Sequence, residues 1–360
     1  MLTFPHIGNI YIFVKVLLDT LNVDYIIPPP CSKKTLELGI KYAPEMVCLP
    51  LKINLGNFIE SIELGADTII ITAGSGPCRF SYYCEMHRET LKLLGYKDVN
   101  VVAIDNSEGI RELVRRLKSV FNNRSLISIY GAMTKAYKAI RKMDDLDRLC
   151  YKLRAREIKQ GETDRIMSTL YNDILKTEGY KGVMRVLDDK ERLLRNISID
   201  KEYKPIRIGL VGDIYTLIEP SSNMYIEKML GSMRVEVDKS LFITKWIEEH
   251  IMKFKINRKH KKQFDKAVEP YLNNSIGGHC RESLGNSVLY SDGGCDGVIQ
   301  IYPLTCMPEI VASSILPTVS SDHNIPVMTL IIDEMTGEAG YRTRVDAFKD
   351  ILLRRRQIYG

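Results

Sequence analysis

Leu55-Gly56-Asn57, then Gly65-Ala66-Asp67, then Thr68-Ile69-Ile70-Ile71-Thr72, then Cys78, is an order that returns once in the chain. The second pass reads Leu284-Gly285-Asn286, Gly294-Cys295-Asp296, Gly297-Val298-Ile299-Gln300-Ile301 and Cys306. From Leu-Gly-Asn to Gly-x-Asp the spacing is the same in both passes, and from Asp to Cys it differs by one residue. A cysteine also precedes each Leu-Gly-Asn, Cys48 in the first pass and Cys280 in the second. Beyond Cys78 and Cys306, each pass runs through a helical stretch to an apolar strand, ending at Asp105 and at Asp333. The starts agree loosely, with Asn9-Ile10-Tyr11-Ile12 and Asn223-Met224-Tyr225-Ile226 each opening a helix. The shared order implies two copies of one unit, too far apart for a solenoid repeat.

The local patterns name the unit's class. TIIIT, VNVVAI, IRIGLV, GVIQIY and PVMTLII are short, continuous apolar runs rich in Ile and Val. Such runs suit parallel strands covered on both faces, and helical stretches alternate with them. The expected fold is therefore α/β: two similar doubly wound, Rossmann- or flavodoxin-like domains with parallel sheets, joined by a helical segment. The boundaries read as 1–133 for the first domain, 134–204 for two or three connecting helices, and 205–360 for the second, opening at Lys204-Pro205. The first thirty residues read as a helix followed by a strand. They lack a basic leader, and Asp19, Asn22 and Asp24 interrupt the apolar stretch, so they are not a secretory signal.

Composition narrows the class. The 360 residues are 45% hydrophobic and 27% charged, which supports large cores and argues against disorder. No apolar run reaches the roughly 18 residues of a membrane span. The net charge of +6, from 51 basic and 45 acidic residues, is modest for this length. The cluster Arg258-Lys259-His260-Lys261-Lys262 has no aromatic platform beside it, so a solvated helix face is preferred over nucleic-acid binding. Neither a Walker A loop nor a Gly-x-Gly-x-x-Gly fingerprint occurs.

Eight cysteines without a secretory signal point to ligands, catalysis or small buried residues in a reducing, cytoplasmic setting rather than to disulfides. Ligands of open α/β sheets bind beyond the carboxyl ends of the strands. Cys78 follows TIIIT through AGSGP, and Cys306 follows GVIQIY through PLT, so both fall at that edge. Cys48 lies just before the helix that carries Leu-Gly-Asn. If the two domains face each other, the three thiols converge. Each has Pro or Gly close by: Cys48-Leu49-Pro50, Gly76-Pro77-Cys78 and Cys306-Met307-Pro308. Glycine lets backbone N–H groups approach a ligand, and amides aimed at sulfur help to set the potential of an Fe–S centre. No Cys-x-x-Cys occurs, which disfavours a zinc ribbon or a ferredoxin-type cluster. On spacing alone, buried free cysteines remain the alternative to a metal site.

At these motifs the chain resembles the 2-hydroxyacyl-CoA dehydratase / benzoyl-CoA reductase subunit family, and within it the acyl-CoA dehydratase activase-related (CoA protein activase) branch. The residues that carry the resemblance are Cys48-Leu49-Pro50-Leu51-Lys52, Gly76-Pro77-Cys78-Arg79-Phe80 with the aromatic pair after it, Asp296-Gly297-Val298-Ile299, Cys306-Met307-Pro308-Glu309 and Asp333-Glu334-Met335-Thr336-Gly337-Glu338. The resemblance implies paired α/β domains and an oxygen-sensitive [4Fe–4S] cluster on three cysteines, with one iron open. Carried over, the three are Cys48, Cys78 and Cys306. Related double-cubane proteins use more cysteines, and Cys280, which echoes Cys48, is the fourth candidate. Cys31, Cys84, Cys280 and Cys295 all depart from the family motif, and Cys150 reads as structural. The resemblance further implies a partner: an activase-type ATPase of the actin/Hsp70 class, or a larger related subunit, that delivers a low-potential electron.

Other polar residues are weighed against ordinary roles. Arg79 and Lys52 suit cluster charge or an acyl-CoA phosphate, or a plain salt bridge. Glu309, Asp333, Glu334 and Glu338 lie near strand ends, where they suit proton relay or a helix start. His279 is a candidate ligand, and His87 reads as structural. The leading function is a cluster-bearing reductase or low-potential electron-transfer component acting on an acyl-CoA or another small molecule. Its rivals are a non-enzymatic cluster scaffold or sensor subunit, and an α/β binding protein for a phosphorylated small molecule with structural cysteines. Self-association into a homodimer is left open.

Overall fold

The computed structural model describes residues 1–72, 78–104, 109–250 and 258–359. The chain divides into two compact units, one of residues 1–140 and 177–184, the other of residues 141–176 and 185–360.

The first unit opens with a two-residue strand, β1 (Leu2–Thr3), followed by α1 (Ile10–Leu21), α2 (Lys33–Tyr42), α3 (Leu49–Glu63), β2 (Thr68–Thr72), a 3₁₀ turn at Arg79–Tyr82, α4 (Tyr83–Leu93), β3 (Asn100–Ile104) and α5 (Ile110–Val120). The strand thus precedes the first helix, where the sequence reads as helix then strand. Two residues are too few to show a period, and pairing with Thr68 and Ile69 defines β1. The strand expected after α1 is a single parallel bridge, Tyr25 to Leu2. The sheet runs β1-β2-β3, with Tyr25 outside β1, and every pairing is parallel.

Four helices follow: α6 (Leu126–Arg156), α7 (Glu162–Met167), α8 (Leu170–Leu175) and α9 (Gly179–Arg195). The first and the last of these contribute residues to both units.

The second unit carries β4 (Arg207–Gly212), α10 (Ile214–Ile218), α11 (Ile226–Ser232), β5 (Glu236–Lys239), α12 (Ile243–His250), α13 (Arg258–Val268), α14 (Cys280–Asp292), β6 (Gly297–Pro303), α15 (Met307–Asp322), β7 (Val327–Ile332) and α16 (Glu338–Tyr359). The four strands stack in the order β5-β4-β6-β7, again all parallel. All seven residues of β6 are buried, which explains its unbroken apolar run. β5 is an edge strand of four residues with Glu236, Asp238 and Lys239 in it, so no apolar run announces it.

In chain order both sheets read second, first, third, fourth, the flavodoxin-like order of doubly wound folds. The repeat in the sequence has a structural meaning at three places. The residue after the Gly-x-Asp aspartate pairs across the first strand in the same register, Leu2 with Thr68 and Ile208 with Gly297. The aspartate N–H donates to the chain entering that strand, Asp67 to the Met1 carbonyl at 3.0 Å and Asp296 to the Arg207 carbonyl at 2.8 Å. The glycine ends the preceding helix with positive φ, 100° at Gly65 and 73° at Gly294. There the next N–H reaches back five residues, Ala66 to Ser61 and Cys295 to Tyr290.

The glycine of Leu-Gly-Asn serves helix packing. A Cβ on Gly56 would lie 1.9 Å from the Thr35 carbonyl oxygen on α2, and one on Gly285 would lie 2.6 Å from the Phe264 ring on α13. Each central helix therefore approaches its neighbour closely at this point. α3 is buried from Leu49 to Ser61 and forms the first unit's core with Ile69, Ile71, Cys84, Leu91 and Val101.

Candidate functional site

In each sheet the strand order reverses beside the first strand, and ligands of such folds bind at that switch, beyond the strands' carboxyl ends. The switch lies between β1 and β2 in one unit and between β4 and β6 in the other. Cys78 follows β2 and Cys306 follows β6. Cys48 reaches this edge by a different route. α3 climbs about 22 Å over its fifteen residues and β2 returns about 17 Å over its five, so the start of α3 and the end of β2 lie at one side of the sheet.

Cys48, Cys78 and Cys306 share one local geometry: each is the N-cap residue of a helical segment. In Cys48-Leu49-Pro50 and Cys306-Met307-Pro308 the proline occupies the first turn, where its missing N–H is no loss. None of the three sulfurs caps its helix by a side-chain hydrogen bond. N–H groups and the positive end of the helix favour a thiolate at such a position. These three are half-buried, whereas Cys31, Cys84, Cys150, Cys280 and Cys295 are buried.

In the first unit the Tyr83 hydroxyl meets the Cys48 sulfur. Burial pushes the Tyr83 phenol well above its usual range, and the charge of Cys48 adds to this. Arg79 opposes the rise and Cys78 supports it, so both lie within electrostatic reach of the ring. Arg79 donates to the Met46 carbonyl at 2.8 Å, and the Ser81 hydroxyl donates to the Cys78 carbonyl at 2.8 Å, fixing the turn around the cysteine. Lys52, one turn into α3, is buried. Gly76 lies outside the described residues, as does Asp105. Tyr83 enters the sequence reading only as part of the aromatic pair after Gly-Pro-Cys-Arg-Phe. Its position at the start of α4 is what turns its hydroxyl to Cys48.

In the second unit Cys306 follows Thr305, whose φ of 70° is a left-handed conformation that β-branched residues rarely adopt. Beneath it, Glu309 is fully buried. Its carboxyl group accepts from the Ser283 hydroxyl at 2.8 Å and from Gln300 Nε2 at 2.9 Å, while Gln300 Oε1 accepts from Thr329 at 3.0 Å. Burial pushes the Glu309 carboxyl up to about 8, with Gln300 and Ser283 opposing the shift. Cys280 is placed differently from Cys48. It is the first residue of α14, not its cap, and is fully buried against Val268, Leu284, Val288, Ala312 and Leu316. Burial, followed by the charges of Glu309 and Glu282, pushes its thiol up to about 12. The spacing gives the reason: Cys48 lies seven residues before its Leu-Gly-Asn and Cys280 only four. His279 caps α14 without a side-chain bond, and Asp333 is engaged by Thr336 and the Met335 N–H.

The comparison with protein families decides the assignment. The model of the CoA enzyme activase uncharacterised domain, DUF2229, matches residues 6–240, more than half of the chain. The chain belongs to this family. The DUF2229 match spans Cys48, Cys78, Arg79 and Tyr83 and stops before Cys280 and Cys306. It supports the activase-related branch read from the motifs, and does not extend to a dehydratase or benzoyl-CoA reductase subunit. None of the curated proteins compared with this DUF2229 chain matches it. Among its described residues no helix is long and apolar enough to cross a membrane.

Proposed function

We propose that this DUF2229 chain is a cytoplasmic iron–sulfur protein of a CoA-enzyme activation system. On this reading Cys48, Cys78 and Cys306 hold a [4Fe–4S] cluster, and the chain passes a low-potential electron received from an activase-type ATPase. The observation that carries the reading is the division of the eight cysteines. The three with N-cap geometry are the three that are half-buried, and the other five are buried. The donor set fits the group: sulfur ligands at helix starts, with backbone N–H groups near, suit an anionic Fe–S centre. When bound, the cluster supplies one-electron chemistry at low potential. The chain's own residues fix the sulfurs through Pro50 and Pro308, brace the Cys78 turn through Ser81 and Arg79, and set the polarity around them. Cys280 is left as a packing residue of the second unit.

Iron and acid-labile sulfide per chain after anaerobic purification test this reading. About four irons, lost on Cys48→Ala, Cys78→Ala and Cys306→Ala but retained on Cys280→Ala, is the expected result. About eight irons would replace the single cluster by a double cubane. No iron in the wild type after reconstitution would overturn the reading.

A further inference from the structure

The Tyr83 hydroxyl meets the Cys48 sulfur, and the surroundings hold it there. Tyr83 is buried, with 3% of its surface exposed. Its ring packs against Phe80, centroids 5.5 Å apart and tilted, and edge-on against His87 at 6.2 Å. His87 meets Phe58 of α3 edge-on at 5.0 Å. His87 is itself fully buried, and burial lowers its imidazole to about 3, so it stays neutral and serves as one more ring. The chain Phe80–Tyr83–His87–Phe58 ties the phenol to the same helix that Cys48 caps. A rigid aromatic stack that ends in a hydroxyl on a sulfur fixes the sulfur's direction.

We propose that Tyr83 is a positioning residue whose hydroxyl donates a hydrogen bond to the Cys48 sulfur, directing it and drawing charge from it. The phenol has one O–H to give and lies against the sulfur, so on this proposal the Cys48 sulfur is the acceptor. A donor bond to sulfur stabilises the more negative state of an Fe–S centre and so raises its potential. In the metal-free chain the same bond stabilises the thiolate, the form that reacts with alkylating agents.

The test has two arms, of which the first rests on the cluster reading above and the second does not. In the reconstituted protein, Tyr83→Phe keeps the wild-type iron content and shows a more negative midpoint potential. In the metal-free protein at pH 7, iodoacetamide labelling read by peptide mass spectrometry is about ten-fold slower at Cys48 in Tyr83→Phe and unchanged at Cys78, the effect of losing a charge-assisted bond of about 1.4 kcal/mol. Phe80→Leu, which loosens the stack and keeps the hydroxyl, moves both readouts in the same direction as Tyr83→Phe but by less. Tyr83→His, which keeps a ring with an N–H donor, lies nearer to wild type than Tyr83→Phe, and it answers the question if Tyr83→Phe does not fold. Equal potentials together with equal Cys48 rates in Tyr83→Phe would overturn the proposal. Absence of iron in the wild type would remove the cluster reading, and the labelling arm alone would then decide the role of Tyr83.

Discussion

A methyl group on Gly56 would sit 1.9 Å from the carbonyl oxygen of Thr35, so α3 and α2 touch there backbone to backbone. The obstacle is a main-chain atom of a capped helix. The Ser32 side chain accepts from the Thr35 N–H, and the Thr35 hydroxyl accepts from the Ser32 N–H. At the matching position a methyl on Gly285 meets the edge of the Phe264 ring at 2.6 Å, and that ring can turn. Alanine gains about 1 kcal/mol over glycine within a helix, and overpacking costs roughly 1–3 kcal/mol or more. Gly56→Ala should therefore destabilise by about 3 kcal/mol and Gly285→Ala by about 1, read from urea midpoints.

The uneven burial of the cysteines predicts a labelling pattern. In the native, metal-free protein a short pulse of iodoacetamide should modify Cys48, Cys78 and Cys306 and spare Cys31, Cys84, Cys150, Cys280 and Cys295. All eight should label in denaturant. Labelling of Cys280 at the rate of Cys306 would contradict its place in the apolar cluster.

Glu309 makes stability depend on pH in a defined direction. Its carboxyl is raised from the ordinary 4.5 to about 8 in the folded chain, so between those values the folded state holds the proton more firmly than the unfolded state. Its contribution is complete below about 4.5 and is lost as pH rises through 8, at up to about 1.4 kcal/mol per pH unit. Asp144, raised by burial to about 7 and bonded to Thr244, adds the same sign at lower pH. Urea midpoints of wild type should fall between pH 5.5 and 8.5. Glu309→Gln, which cannot ionise, should fall less.

The two Gly-x-Asp aspartates should differ in cost although they share a register. Asp296 accepts the Arg207 N–H at 2.7 Å and takes Arg356 on both oxygens, at 2.6 and 3.1 Å. Asp67 instead binds the amino terminus at 2.6 Å, with its side chain 66% exposed. Asp296→Ala should destabilise by about 2 kcal/mol, and Asp67→Ala by well under 1, in thermal or urea unfolding.

Much of this architecture is legible in the residues. The five apolar runs are the five long strands, and the repeat marks the turn, register and helix contact that two parallel sheets require. What escapes notice is what pairing alone creates. β1 is two residues long, and β5 is an edge strand with charges at three of its four positions. The site is readable where local chemistry fixes it, since Cys-x-Pro places a cysteine at a helix start. It is unreadable where rotation about a helix decides, as at Cys280, whose echo of Cys48 is broken by a three-residue difference in spacing. Tyr83 could be suspected from the aromatic pair, but which of its two rings turns inward is set by the start of α4. Tyr82 is exposed and Tyr83 buried.

On the proposed reading, the helix starts at Cys48 and Cys306 set folding against ligation. Serine is among the best residues for opening a helix, because its oxygen accepts first-turn N–H groups, a cap bond that neither sulfur makes. A chain shaped by folding alone would place serine at both positions. Cys48→Ser and Cys306→Ser should yield a protein that is sturdier than the natural one and blind to soft metals. Such a variant separates what the scaffold does from what its sulfurs do.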